Sequence, residues 1–241
     1  MTKELKTRTG YVSLVGKTNV GKSTLLNQIL DQKVSITSRK PQTTRHRLLG
    51  IKTKDNGQAI FIDTPGFHQG QKRALNRYMN KVAMGAMSGV DVVVYLTEAL
   101  KFDEEDERLL AQIPGTVEHV IWVINKVDRV TDKKRLLPFI EKISSKHSFA
   151  DIVPLSALKG QNIESLEDSI FKKLSIGPHS YPKDQFVDTT ERFLASEIIR
   201  EKCITRVGDE IPYRISVMID SFKLEENITH IDATLFVEKK S

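Results

Sequence analysis

The apolar run Tyr11-Val12-Ser13-Leu14-Val15 breaks directly into Gly16-Lys17-Thr18-Asn19-Val20-Gly21-Lys22-Ser23. A helical pattern through Leu25, Leu26, Ile29 and Leu30 follows. Strand, glycine loop, helix: this order leaves few folds open, and G-x-x-x-x-G-K-S between the two elements is the P-loop pattern. Glycines let backbone N–H groups turn inward around phosphates, and the helix N-terminus adds a favourable partial charge. The pattern therefore predicts a site for a phosphate chain.

The rest of the chain supplies a sheet to carry that loop. Apolar runs recur at residues 59–62, 90–96, 117–124 and 152–155, separated by amphipathic segments such as the charged stretch 103–110. The runs are continuously apolar, as expected when helices cover both faces of a sheet. This alternation predicts an α/β fold with a doubly wound, mostly parallel sheet. Ligands in such sheets gather at the carboxyl ends of the strands. Each remaining motif lies at such an end.

Lys22 is placed to reach the β- and γ-phosphates, and Ser23 to give its hydroxyl to Mg²⁺. Asp63-Thr64-Pro65-Gly66 closes the run 59–62. An aspartate there can hold Mg²⁺ through water, and Gly66 can offer its N–H to the γ-phosphate. Asn125-Lys126-Val127-Asp128 closes the run 117–124. A carboxylate accepts from both the ring N–H and the exocyclic amine of guanine, whereas adenine presents an acceptor there and leaves the charge unpaired. Asp128 thus points to guanine. Asn125 can brace the loop, the Lys126 stem can cover the base plane, and Ser156-Ala157 can bring a backbone N–H to the guanine carbonyl. The nucleotide expected is GTP or GDP.

Composition removes other classes. The longest apolar runs are too short to span a bilayer, and the polar, basic N-terminus shows no secretory signal. Cys203 is the single cysteine, so no internal disulfide is possible and a reducing cytoplasm is the expected location. Residues 1–180 carry a net +9 and residues 181–241 a net −3. Between Lys33 and Lys54 stand seven basic residues and no acidic one. That block reads either as a polyanion contact or as a solvated loop beside the phosphates. The prolines and glycine of 175–183 mark a boundary where the charge balance changes sign. A helix at 190–207 and strands at 213–222 and 231–237 are expected beyond it.

The motifs together resemble the Era family of bacterial P-loop GTPases. The stretches "GKTNVGKSTLLNQIL", "SITSRKPQTTRHR", "DTPGFH", "NKVD" and "ERFLASEIIREKC" carry the resemblance over nearly the whole chain. It implies a GTPase domain at 1–176, a linker at 177–188 and an RNA-binding KH-like domain at 189–241. It also implies slow GTP hydrolysis in the service of small ribosomal subunit assembly. Binding to 16S rRNA and a weak peripheral association with the inner membrane are implied; binding to DNA is not. Carried over by position, it places Gly16, Lys17, Asn19, Val20, Gly21, Lys22, Ser23 and Thr24 around the phosphates. Thr43 or Thr44 completes the Mg²⁺ site with Ser23 and Asp63, Thr44 being favoured. Asn125, Lys126, Asp128, Ser156 and Ala157 take the base. Lys22, Thr44, Asn19 and Gly66 are the catalytic candidates.

Two features bear on rate. Phe67 stands where Ras-like enzymes place a water-orienting glutamine, and His46 and His68 read better as solvated side chains than as bases. Asn19 is a residue that in related GTPases helps hold a potassium ion, which can do an arginine finger's electrostatic work. GTP is expected to order residues 33–47 and 66–78. The resemblance departs at the end: no G-x-x-G follows the linker, where Gly208 is the single glycine, and the chain stops at "VEKKS". A KH domain clamps about four nucleotides with that loop. Truncation within the KH domain is expected over loss of the site, because the retained half keeps its family sequence. The rival readings are a sister-branch GTPase of tRNA modification or large-subunit assembly, and an RNA-binding scaffold that uses GTP structurally. An ATPase ranks last.

Overall fold

A computed structural model describes residues 7–37, 48–66, 82–206 and 215–237 of the chain. The strands are β1 (Arg8–Gly16), β2 (Leu48–Lys54), β3 (Gly57–Asp63), β4 (Val92–Glu98), β5 (His119–Asn125), β6 (Asp151–Pro154) and β7 (Ser175–Ile176). Between and after them come helices α1 (Lys22–Leu30), α2 (Glu104–Leu110), α3 (Leu136–Ser144), α4 (Ile163–Lys173) and α5 (Glu191–Arg206). A hairpin of β8 (Ile215–Glu225) and β9 (Ile228–Val237) ends the described chain.

The main sheet runs β2-β3-β1-β4-β5-β6, with β7 paired to the start of β1. All neighbours along β3-β1-β4-β5-β6 are parallel, while β2 lies antiparallel to β3. Period-two geometry divides each apolar run between two cores. Val12, Leu14, Val94, Leu96, Ile121 and Val123 point to the layer holding α1 and α4. Val15, Val93, Tyr95, Trp122 and Ile124 point to the layer with Leu109 of α2 and Ile143 of α3. Trp122 is fully buried, and its indole N–H donates to Thr97 Oγ1 at 2.9 Å.

One reading changes. The basic block is not a loop throughout: β2 occupies its end. Lys54 pairs with Glu167 at 2.6 Å, Lys52 lies 3.8 Å from the same carboxylate, and Lys33 meets Glu201 at 2.5 Å. The three basic residues of the block that are described are thus in ion pairs with this chain's own acids. Arg39, Lys40, Arg45 and Arg47 lie outside the described residues. Residues 33–37, the start of the segment expected to order on GTP, include the buried Val34, Ser35 and Ile36. Residues 38–47 and 67–78, with Phe67, His46 and His68 among them, lie outside the described residues.

The segment 177–188 lies along the sheet. Gly177 N–H donates to Thr7 O, Gln58 accepts the N–H groups of Ser180 and Tyr181, and Ile51 N–H donates to Phe186 O at 2.9 Å. It covers part of the β2 edge, a common answer to an unpaired strand. Beyond it, α5 packs on β8, with Phe193 and Leu194 resting against the α1–α4 core. β9 is exposed along its whole length, Leu235, Phe236 and Val237 included. Among the described residues this end of the chain is a small α+β unit, one helix on a two-stranded hairpin.

Candidate nucleotide-binding site

The loops after β1, β3, β5 and β6 meet over one cleft of about 830 Å³. Its floor is the P-loop. Gly21 sits at φ 105°, a left-handed conformation that glycine alone adopts freely. A Cβ at Gly21 would lie 2.3 Å from Asn125 Nδ2. That amide donates to Val20 O at 2.8 Å, so the base loop is tied to the phosphate loop. Helix α1 starts at Lys22 with no side-chain cap, which leaves its first N–H groups to the cleft. Lys22 is buried, and its ammonium donates to Gly16 O at 3.0 Å and Lys17 O at 2.8 Å. Burial lowers its pKa to about 8, against the attraction of Asp63.

Behind Lys22 stands a cluster of oxygens. Ser23 donates to Asp63 Oδ2 at 3.1 Å, and Ser35 donates to the same oxygen at 2.7 Å. Asp63 Oδ1 is buried with no partner among the described residues. Burial pushes the Asp63 carboxyl above its ordinary range, while the Ser35 hydroxyl and Lys22 oppose this. A hydroxyl and a carboxylate with a spare buried oxygen are fitting oxygen donors for Mg²⁺, and the nearby ammonium suits the phosphates held with it. Gly66 lies across the cleft, where a Cβ would come within 2.9 Å of Thr18 Cα and 3.0 Å of Lys22 Nζ. The chain can approach the phosphates there only as glycine.

At the other end, Asn125 Oδ1 accepts the N–H groups of Lys126 at 2.7 Å and Ala157 at 3.0 Å. The Ala157 N–H, read from the sequence as a donor to the base, is engaged by Asn125 in this structure. Ser156 Oγ donates to Asp128 Oδ1 at 2.5 Å and sets that carboxylate's plane. Lys126, in left-handed backbone at φ 64°, reaches Glu98 at 2.6 Å. Burial works against the charge on Glu98, but Lys101 and Lys126 hold its carboxyl below the ordinary range.

Asn19, Gly21, Lys22, Ser23, Thr24, Gly66, Asn125, Lys126, Asp128 and Ala157 all line the cleft. Gly16, Val20, Asp63 and Ser156 stand just behind them and act through backbone or through a lining neighbour. The side chain of Lys17 turns away from the cleft, into ion pairs with Asp103 at 2.8 Å and the buried Asp106 at 2.7 Å. What Lys17 offers a phosphate is its backbone. Thr43 and Thr44 lie outside the described residues. Sequence reasoning missed Asn27, Ser35, Thr37, Glu201 and Thr205. Thr37 and Thr205 line the cleft, the latter from α5. Glu201 Oε1 accepts both the N–H and the hydroxyl of Thr37 at 3.1 Å. Asn27, Ser35, Thr37 and Glu201 stand within the stretches that carry the resemblance, but nothing local says what each one touches, since each contact lies outside its own element.

Residues 11–126 match a family model described as "50S ribosome-binding GTPase". Across 98% of the chain, 49% of residues are identical to GTPase Era of Marinobacter nauticus, of which the match covers 77%. The figures for GTPase Era of Azotobacter vinelandii are 47% identity over 100% of this chain and 80% of that protein. Among solved structures, Era in complex with MgGDPNP and nucleotides 1506–1542 of 16S ribosomal RNA superposes with a TM-score of 0.91. That match has 39% identity and covers 97% of this chain and 80% of the other. An alanine variant of Aquifex aeolicus Era bound to GDP and AlF4⁻ gives the same TM-score at 38% identity.

Proposed function

The chain belongs to the Era family of GTPases, and from that premise we propose that it is a slow, GTP-driven switch that binds 16S rRNA and assists small ribosomal subunit assembly. The observation that carries this is the convergence of Lys22, Ser23, Asp63, Gly66 and Asp128 on one cleft. Lys22 neutralises the β- and γ-phosphates, Gly66 N–H meets the γ-phosphate, and Asp128 reads the guanine edge. Ser23, Asp63 and Thr44 would hold Mg²⁺, which would supply neutralisation of phosphate charge when bound. With Phe67 at the usual glutamine position, turnover is slow.

Asn19 stands in left-handed backbone at φ 61° on the cleft wall, which supports its proposed role beside a potassium ion. We expect GTP turnover several-fold faster in KCl than in NaCl at equal ionic strength. Equal rates in the two salts would sink the potassium reading while leaving the GTPase intact.

The proposed organisation is a GTPase domain at 1–176, a linker at 177–188 and a KH-like unit at 189–241 that lacks a GxxG loop. The Glu201–Thr37 contact supports a link between nucleotide and RNA, because it joins α5 to the segment leading into the first switch. We place the protein in the cytoplasm, with weak peripheral membrane contact; no helix among the described residues is long and apolar enough to cross a membrane. The RNA reading is tested with an oligonucleotide from the 3′ end of 16S rRNA. It is titrated into this chain and into the whole Azotobacter relative, each with GDP and with a non-hydrolysable GTP analogue. Each protein should bind it more tightly than an unrelated oligonucleotide, and more tightly with the analogue. Affinity no better than for an unrelated oligonucleotide in every arm would overturn the reading.

A further inference from the structure

Ser35 opens the stretch SITSRKPQTTRHR but was given no role at the nucleotide site, yet its hydroxyl makes the shorter of the two side-chain hydrogen bonds to Asp63, at 2.7 Å. Ser35 is buried, at 7% exposure, and stands on a segment that is held from both sides. Asn27 of α1 accepts the N–H groups of Val34 at 3.0 Å and Ser35 at 2.9 Å, and donates to Ser35 O at 2.8 Å. Two residues on, Glu201 of α5 holds Thr37. The hydroxyl is therefore placed by the fold before it meets the carboxylate.

The carboxylate it meets is unusual in its partners. Both hydroxyls, from Ser35 and Ser23, go to Oδ2, while Oδ1 is buried without a partner among the described residues. Two donors on one oxygen fix the rotation of the group and leave acceptor capacity on the other. Partners of this kind orient metal-holding carboxylates, and their loss typically costs about 10–100-fold in metal affinity. We propose that Ser35 is a positioning residue of the magnesium centre: its hydroxyl, seated by Asn27, fixes how Asp63 is presented to the ion. This rests on the reading that Ser23 and Asp63 hold Mg²⁺. Ser35 itself is not a ligand. It acts through Asp63, and it joins that carboxylate to the segment that leads into the first switch.

The experiment follows release of a fluorescent GDP from the 241-residue chain as free Mg²⁺ is varied, with EDTA as the zero point. Ser35→Ala should raise the Mg²⁺ concentration for half-maximal slowing of release about tenfold. Its release rate in EDTA should stay within about twofold of the parent. Ser35→Cys, nearly isosteric and a poor donor, should shift the midpoint in the same direction without opening a cavity. A purely structural serine predicts something else, namely faster release with and without Mg²⁺ and an unmoved midpoint. Either that result or no change in either variant overturns the proposal. If release from the parent is itself insensitive to Mg²⁺, the magnesium reading fails and takes Ser35 with it. Parent sensitivity with unmoved variants removes Ser35 alone.

Discussion

Asp128→Asn is expected to weaken GDP and GTP binding by about a thousandfold or more, and to let xanthosine diphosphate compete where it did not before. The size follows from what is lost. A polar site built around two donors of its ligand discriminates by about 10⁴–10⁵ when the pairing fails, because buried polar groups are then left unmatched. The aspartate accepts through both oxygens; an asparagine keeps one acceptor and turns a donor toward the guanine amine. Xanthine carries a carbonyl at that position and accepts what guanine cannot. The substitution is nearly isosteric, and the Asn125 brace to Val20 and Ala157 does not involve Asp128, so the loop should hold. The Ser156 hydroxyl at 2.5 Å already fixes the plane of the side chain. Competition against a fluorescent GDP, with GDP and xanthosine diphosphate as competitors, gives both numbers. A fall of less than tenfold for GDP would place the base elsewhere in the cleft.

The motifs that carry this were legible because they sit where central strands end. β1, β3 and β5 lie inside the sheet, so their sequences are mostly apolar runs, and the chemistry begins where each run ends. β2 escaped notice for the opposite physical reason. It is the edge strand next to β3, and Lys52 and Lys54 alternate with Ile51 and Thr53 on it. Their charge reads as a polyanion surface until Glu167 and Asp168 of α4 are placed beside them. The partners of the Lys17 side chain were illegible in the same way. Its position in the loop suggests a phosphate, but its ammonium is held by Asp103 and Asp106 at the start of α2.

The cleft's outer wall was illegible altogether. Glu201 looks like one more charge on a solvated helix, yet it is 4% exposed and bonded to Thr37. Asn27 looks like a polar residue on the outer face of α1, yet it clasps residues 34 and 35. Hydrophobic period reports which face of an element is buried. It says nothing of which polar groups meet across elements, and the approach to the first switch is built from such meetings. The motifs pointed to a guanine nucleotide; the contacts of Ser35, Thr37 and Glu201 came from the fold alone.

Lys22→Ala should abolish measurable GTP turnover and weaken GDP by about 100-fold, since hydrogen bonds to charged groups are worth up to about 3 kcal/mol even before transition-state charge is counted. A second expectation separates electrostatics from packing. Burial sets the Lys22 pKa near 8, below its ordinary 10.5. The unfolded chain thus binds more protons at this site between those values, and the cost of the buried charge, borne in full below pH 8, is relieved as pH rises through that window. Nucleotide phosphates reverse the preference and hold the ammonium charged. Binding of GDP above pH 8 should therefore take up a proton, and affinity should fall toward tenfold per pH unit until the pKa of the complex is reached. Calorimetry at pH 9 in two buffers of different ionisation enthalpy reads the proton directly. The parent should take up close to one proton more than Lys22→Ala, whose weak residual binding keeps only the fraction recovered by the guanine ring N–H that pairs with Asp128. Equal uptake in the two proteins would leave Lys22 a charged ammonium throughout.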